Sequence, residues 1–252
     1  MRYPRLLALA LLVLLLLAWE WAVQAFKFSP LVLPAPSVIG AALGRGLVTG
    51  YLWPHIAQTL LELGLGLALG VLLGFAGGVL LGESALLRRV LMPYVVTSQV
   101  VPKLALLPLF IVWFGFGTTP TVVITALICF FPLLENTLTG IAQVDAARLE
   151  LFRMLGATRA QTLWRLKLPA SLPAILAGLR VAVVLALVGA VVGEFIGASQ
   201  GLGALIIAAQ GSMDTALMFA VLLLITIIGL LLYEATLWLE RKLLTTYSFP
   251  SN

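Results

Sequence analysis

Six long apolar stretches constrain this chain more than any other feature of its sequence. Each approaches or exceeds the roughly 20 residues that a helix needs to cross the hydrocarbon core of a bilayer. Hydrophobic residues make up 62% of the 252 residues, charged residues only 10%, and the mean hydropathy is +1.14. A soluble domain is about half apolar and about a quarter charged, so we predict an all-α membrane protein. The predicted spans are Leu6–Phe26, Ile56–Gly82, Val90–Phe114, Thr121–Ile141, Leu172–Ile196 and Ala216–Leu239.

The first apolar stretch has two interpretations. A basic start, an apolar run and the small-residue sequence at 23–25 are typical of a cleaved signal peptide. Trp19 and Trp21, however, are placed like the aromatic anchors of a membrane interface, and the run is long enough to span. We favour a retained helix.

Basic residues fall on one side of the predicted membrane protein. With six spans, the N-terminal, second–third, fourth–fifth and C-terminal segments share a side, and nearly all the Arg and Lys residues outside the spans lie in them. The opposite loops carry only Lys27 and Arg45. The positive-inside rule therefore places both termini in the cytoplasm. The basic residues used are Arg2, Arg5, Arg88, Arg89, Arg148, Arg153, Arg159, Arg165, Lys167, Arg241 and Lys242.

Several functions are unlikely from composition alone. The single cysteine, Cys129, and the single histidine, His55, exclude an internal disulfide and a metal site built from several such residues. No lysine follows a glycine, so the chain has no phosphate-binding P-loop. The net charge of +5 is explained by membrane orientation, so we expect no nucleic-acid partner, no cofactor and no enzymatic activity.

Glycines recur every four residues along the second span, at Gly66, Gly70, Gly74, Gly78 and Gly82. Such a strip lets another helix approach closely. It fits either a surface between subunits or tight packing within one chain, and we favour the second.

The segment 145–169 interrupts the membrane pattern with a long basic loop. Asp145 is a good helix N-cap, the following residues favour a helix, Gly156 ends it, and a second helical run leads to Pro169. Apolar residues lie between its charges. The pattern predicts either a helix that docks into a groove on a partner or one that rests on lipid headgroups.

Polar side chains inside spans are costly in lipid and often functional. Gln99 and Lys103 flank Pro102, where a broken helix would expose backbone. We predict that Gln99, Lys103, Glu135 and Glu194 line a translocation pathway; ion pairs between helices are the alternative, and we favour that alternative for Glu62 and Glu234. An ion-coupled secondary transporter would use Glu135, Glu194 and Lys103 as a relay, but it explains neither the loop nor the missing internal repeat.

The loop resembles the EAA loop of ATP-binding-cassette (ABC) importer permeases. It keeps Glu150, Gly156 and the Leu168–Pro169 end at the expected spacing, and departs by having Leu151 and Phe152 in place of two alanines. Further segments resemble the nitrate/sulfonate/taurine branch of that family. They are Leu33-Pro34-x-Pro36-Ser37, Gln99-x2-Pro102-Lys103-x-Ala105-x2-Pro108, Trp113-x-Gly115-x-Gly117, Pro173-x4-Gly178-Leu179-Arg180, Gly193-Glu194-Phe195-Ile196-Gly197 and Gly201-Leu202-Gly203.

The resemblance implies a type I ABC importer permease fold in a bacterial inner membrane, as a single transmembrane domain over residues 1–252 with a cytoplasmic coupling loop at 145–169. Separate ATPase subunits would receive that loop, an external binding protein would deliver a small solute, and a second permease copy would complete a homodimer. The implied solute is a sulfonate-, nitrate- or taurine-like anion or a vitamin-type heterocycle. The implied coupling residues are Glu150, Leu151, Phe152, Gly156, Ala157, Thr158, Leu168 and Pro169.

Overall fold

The structure is a computed structural model and describes residues 3–247. Arg2, used above for orientation, lies outside this range. Over the described residues the chain is helical, with short connections. The α-helices are α1 Tyr3–Ala25, α2 Pro36–Val48, α3 Leu52–Glu83, α4 Ala85–Val100, α5 Leu107–Phe114, α6 Thr118–Ala142, α7 Ala146–Met154, α8 Arg159–Thr162, α9 Leu168–Gly197, α10 Leu202–Gly211 and α11 Thr215–Tyr247.

Five straight helical runs are long and apolar enough to cross a membrane, and a bent pair makes a sixth candidate span. With the bent pair taken as one span, the prediction of six spans is confirmed. Helix ends that the charge pattern places on a common side also meet: Glu83 contacts Lys167 at one end of the helices, and the Gly117 N–H donates to the Gly197 carbonyl at the other. The straight runs are Leu6–Ala25, Leu52–Glu83, Thr118–Ala142, Arg159–Gly197 and Thr215–Thr245.

The prediction of one span over Val90–Phe114 is wrong in form, because this region is two helices meeting at 81°. The break lies at Val101 and Pro102, which are extended and are followed by a 3-10 turn at Lys103–Leu106. Proline cannot donate a backbone hydrogen bond and disfavours helical geometry in the residue before it. The first helix also begins earlier than predicted, since the Ser84 hydroxyl accepts from the Leu87 N–H and caps it.

The helix of the fifth span begins before its predicted start at Leu172. Helical structure runs without interruption from Arg159 to Gly197. A π turn at Leu163–Lys167 precedes Pro169, and Pro173 lies inside α9. Because the proline ring clashes with the carbonyl four residues earlier, the wider π turn accommodates Pro169 without a break.

Three helices, α3, α6 and α9, form the centre of the protein. All five glycines of the α3 strip face α6, and a Cβ at each would collide with Thr125, Cys129, Phe130, Thr137 or Ile141. Gly189 and Gly193 of α9 also lie against α6, at Thr125 and Thr121. The glycine strip therefore packs within one chain, as favoured above.

Helix α1 lies at the edge of this arrangement, and nearly all its apolar side chains from Leu6 to Leu17 are exposed. Its main polar attachment is Glu20, whose carboxylate accepts from both the N–H and the hydroxyl of Ser37 at the start of α2. The aromatic ring of Trp19 also packs edge-on against Phe219 of α11.

We expect Gly74→Ala to destabilise the protein, because the added Cβ would lie 2.5 Å from the Phe130 carbonyl oxygen and 3.2 Å from the Leu133 Cβ. Overpacking of this kind costs about 1–3 kcal/mol, which outweighs the gain in helix propensity of about 1 kcal/mol. Gly64→Ala is the matched control on the same helix, since no atom lies within 4 Å of its added Cβ. Thermal unfolding of the purified variants distinguishes them. Equal melting temperatures for the two would contradict the packing role.

Candidate functional site

The segment 145–169 folds as the sequence predicts at its start. The Asp145 carboxylate accepts from the Ala147 N–H at 2.9 Å and caps α7. Helix α7 ends at Met154, and Gly156 has φ +71, a left-handed conformation that favours glycine. The glycine therefore sets the angle at which the chain leaves α7.

The second part of the loop begins with a capping box. The Thr158 hydroxyl accepts from the Gln161 N–H at 3.2 Å, and the Gln161 side chain accepts from the Thr158 N–H at 2.8 Å. These two bonds satisfy donors that the start of a helix otherwise leaves free. Helix α8 is thereby fixed relative to Gly156 and continues through the π turn into α9.

An ion pair connects this segment to the membrane helices. Lys167 Nζ lies 2.6 Å from Glu83 Oε1 at the end of α3, with both side chains less than a third exposed. Beside the pair is a cleft of about 690 Å³, lined on one side by the α3–α4 turn and on the other by α7 and α8. Arg153, Arg159 and Lys167 contribute to its walls.

The predicted coupling residues divide into two groups by exposure. Glu150, Leu151, Gly156 and Thr158 are exposed, whereas Phe152, Ala157, Leu168 and Pro169 are partly buried. Three further exposed apolar side chains were not among the predicted coupling residues: Met154 is 81% exposed, Leu155 73% and Trp164 67%. The i, i+3, i+4 spacing of Leu151, Met154 and Leu155 was the available signal, because it places all three on one helical face.

The structure brings together two of the four predicted pathway residues. Lys103 Nζ donates to Gln99 Oε1 at 2.5 Å across the break at Pro102, and both side chains are partly buried. Glu135 lies on an exposed face of α6, and no hydrogen bond or ion pair joins it to Lys103 among residues 3–247. Arg180 of α9 instead pairs with Glu240 of α11, with Nη2 2.8 Å from Oε2.

Glu194, the fourth predicted pathway residue, has no exposed surface. Its Oε1 accepts from the Thr59 hydroxyl and its Oε2 from the Gly203 N–H, both at 2.6 Å. The Leu202 N–H donates in turn to Thr59 at 2.8 Å. In this conformation the carboxyl group therefore holds the start of α10 against α3 and α9.

From the sequence, Glu62 was expected to form an ion pair between helices, but no ion pair of the described residues includes it, and it lies in this same buried cluster. Its Oε1 accepts from the Gln58 amide at 2.6 Å, and that amide also donates to Thr118. His55, Gln58, Thr59 and Glu62 share one face of α3, which their spacing of three and four residues indicated. No group of three or more metal-ligating side chains with suitable geometry occurs among the residues described.

Comparison with known proteins agrees with this geometry. Residues 66–245 match the family described as binding-protein-dependent transport system inner membrane component. The chain is 35% identical over 243 residues to the taurine transport system permease protein TauC of Escherichia coli, covering 94% of this chain and 88% of that protein. It is 36% identical over 232 residues to the riboflavin transport system permease protein RibX of Chloroflexus aurantiacus, covering 92% and 87%.

A solved structure shares the fold. A chain from the inward-facing MetNI methionine ABC transporter superposes with a TM-score of 0.66 at 22% identity, covering 76% of this chain and 94% of that one. The helical fold, the spans and the family match all agree, and they exclude the alternative of an ion-coupled secondary transporter. The chain belongs to the binding-protein-dependent transport system inner membrane component family, and it is the multi-pass inner-membrane permease subunit of an ABC importer.

Proposed function

We propose that residues 145–169 are the cytoplasmic coupling loop through which separate ABC ATPase subunits drive this permease. The observation that carries the proposal is the continuous helix from Arg159 to Gly197. At about 1.5 Å per residue, its 39 residues extend about 58 Å. A displacement of the loop is therefore transmitted along one helix to the opposite side of the membrane.

The apolar face of α7 is the proposed contact with the ATPase. Leu151, Met154 and Leu155 are between 54% and 81% exposed, although the helix carries charged residues and lies outside the spans. An exposed apolar face on a short helix is suited to a groove on a partner. Glu150 and Thr158 border this face with polar groups, and Gly156 and the partly buried Phe152, Ala157, Leu168 and Pro169 set its orientation.

The proposed assembly contains further partners. We propose two ATPase subunits, an extracytoplasmic substrate-binding protein and a second copy of this permease, so that the two copies form the pathway as a homodimer in the bilayer. Support for a second copy comes from α4, in which no residue is buried, and from two highly exposed residues, Val112 within α5 and Phe116 just after it. The present chain leaves these apolar faces uncovered.

The pathway is proposed to follow the bent pair. At the bend, Lys103 and Gln99 present polar groups beside a backbone whose helical hydrogen bonds are interrupted at Pro102. Glu135 adds a carboxylate on an exposed face of α6. We also propose Glu194 as a pathway residue. Its carboxyl group would become exposed in a conformation in which α10 has moved.

The transported solute is proposed to be small, either a sulfonate-, nitrate- or taurine-like anion or a vitamin-type heterocycle. The names of the two relatives support both classes, since one is a taurine and the other a riboflavin permease. Lys103 favours the anion, because it supplies a partly buried positive charge at the bend. Ligand binding to the cognate binding protein distinguishes the two classes directly.

Removing the apolar face of α7 should release the ATPase. We expect Leu151→Ala combined with Leu155→Ala to reduce ATPase co-purification and ATP-driven uptake in proteoliposomes by at least about tenfold, since a loss of about 1.4 kcal/mol of binding lowers affinity that far. Leu72→Ala is the matched control, because Leu72 is similarly exposed but lies on a span. Unchanged uptake in the double variant would contradict the docking role.

The angle at Gly156 gives a second test. Proline fixes φ near −65° and cannot adopt the observed +71, so Gly156→Pro should abolish ATP-driven uptake while the protein still inserts in the membrane. Gly156→Ala can adopt this conformation at a cost of about 1–2 kcal/mol, and it should retain part of the activity. Normal uptake by the proline variant would show that the loop does not couple ATP hydrolysis to transport.

Lys103 is tested by removing its charge. We expect Lys103→Gln to raise the solute concentration needed for half-maximal uptake of an anion at least several-fold, with little effect on uptake of a neutral heterocycle. Glu135→Gln, which removes an opposite charge, should not weaken anion uptake. The measurement is ATP-driven uptake against solute concentration, with the binding protein saturating. Equal responses of the two variants would remove Lys103 from the pathway.

A further inference from the structure

The start of α10 is held by side chains from two other helices. Three successive backbone N–H groups contact these side chains. The Gly201 N–H lies 3.2 Å from His55 Nδ1. The Leu202 N–H donates to the Thr59 hydroxyl, and the Gly203 N–H donates to Glu194 Oε2. The first N–H groups of a helix have no partner within it. The position of α10 on the outer side therefore depends on α3 and α9.

The hydrogen bonds of Glu194 are those of an ionised carboxylate. Both of its oxygens accept, one from the Thr59 hydroxyl and one from the Gly203 N–H. The N-terminal end of α10 also carries a partial positive charge that favours an anion. With the carboxyl group completely buried, these contacts are what stabilises its negative charge.

Glu62 lacks the donors that a second carboxylate would need. Its Oε1 accepts from Gln58, but its fully buried Oε2 has no donor among the described residues. The Glu62 carboxyl group lies beside that of Glu194, and the buried Thr121 hydroxyl also has no partner among the described residues. Over the same residues, the ion pairs of the protein involve neither glutamate.

Two buried, adjacent carboxylates without a cation would repel each other in a medium that screens poorly. From this geometry we propose that Glu62 and Glu194 share a single proton, carried by Glu62 and donated toward the ionised Glu194. The pair then acts as a latch that fixes α10 to α3 and α9. This latch extends the proposed function, because α10 covers the only predicted pathway residue that is buried.

A proton fits this site better than a metal cation. A Cβ at Gly201 would lie 2.5 Å from Glu194 Oε1, and one at Gly203 would lie 2.9 Å from the Glu194 Cβ. Packing this tight leaves no space for an ion with its coordination shell, whereas a proton requires none. The two glycines are therefore what allows α10 to approach the carboxyl pair.

Few titratable groups face the pair. Helix α3 contributes Glu62 and His55, α9 contributes Glu194, and the parts of α6 and α10 in contact supply hydroxyl and backbone groups only. His55→Gln serves as the control that separates a contribution of the histidine from that of the shared proton.

Loss of the proton as the pH rises should open the latch. ATP-driven uptake by the assembled importer in proteoliposomes should fall about tenfold per pH unit beyond the midpoint, as expected for release of one proton. Glu62→Gln keeps the shape and a donor but has no proton to lose, so its uptake should not show this fall. Both samples contain the same ATPase, so the ratio of wild-type uptake to Glu62→Gln uptake removes the pH dependence of the ATPase itself. A constant ratio across pH overturns the proposal.

A second measurement does not depend on transport or on coupling. In the full-length permease in lipid nanodiscs, infrared spectroscopy should show a buried carboxylic-acid C=O band that disappears as the pH is raised. The band should be absent in Glu62→Gln and retained in Glu135→Gln. Persistence of the band in Glu62→Gln overturns the proposal even if uptake is normal, whereas loss of uptake with the expected spectra would instead contradict the coupling role.

Discussion

The close approach of α3 to α6 is the contact on which the rest of this protein depends. Lipid is as apolar as the helix surfaces, so burial of leucine contributes little to the association of helices, and close packing must supply it instead. Five glycines at four-residue spacing provide a groove along α3 in which side chains and carbonyls of α6 lie. Small residues of α9 also pack closely against α6, and the three helices form one block.

Polar contacts fix α3 to α9 near both sides of the membrane. On the cytoplasmic side Lys167 pairs with Glu83, and on the opposite side the Thr59 hydroxyl donates to Glu194. Because α9 continues into the loop through the π turn, a force applied at α7 acts on the block as a whole. The polar contacts therefore do more than offset the burial of charge, since they prevent α9 from sliding along α3.

Much of this arrangement was predictable from sequence, and the remainder depended on tertiary contacts. Asp145 and Gly156 were correctly interpreted because each acts through local backbone geometry, and the four-residue spacing of the glycine strip itself indicated a face for close helix packing. The Pro102 and Pro169 regions were predicted less well, since a proline signals a disturbance but not its form: one gives an 81° bend and the other only a π turn. The position of Glu62 beside Glu194 was not predicted, because the two residues are distant in sequence. The helical spacing of Leu151, Met154 and Leu155 was visible in the sequence, but Met154 was not included among the predicted coupling residues.

The same contacts indicate where the protein can change shape. Helix α4 has no buried residue, and across its junction with α5 the polar tie is the single hydrogen bond between Gln99 and Lys103. Breaking this one hydrogen bond is a small energetic change, whereas separating α3 from α6 would expose glycine-lined backbone along several turns. Motion between states should therefore occur at the bent pair, while α3, α6 and α9 move together. The proposed pathway residue Lys103 then lies at the hinge, and the buried Glu62–Glu194 pair lies in the rigid part that moves against it.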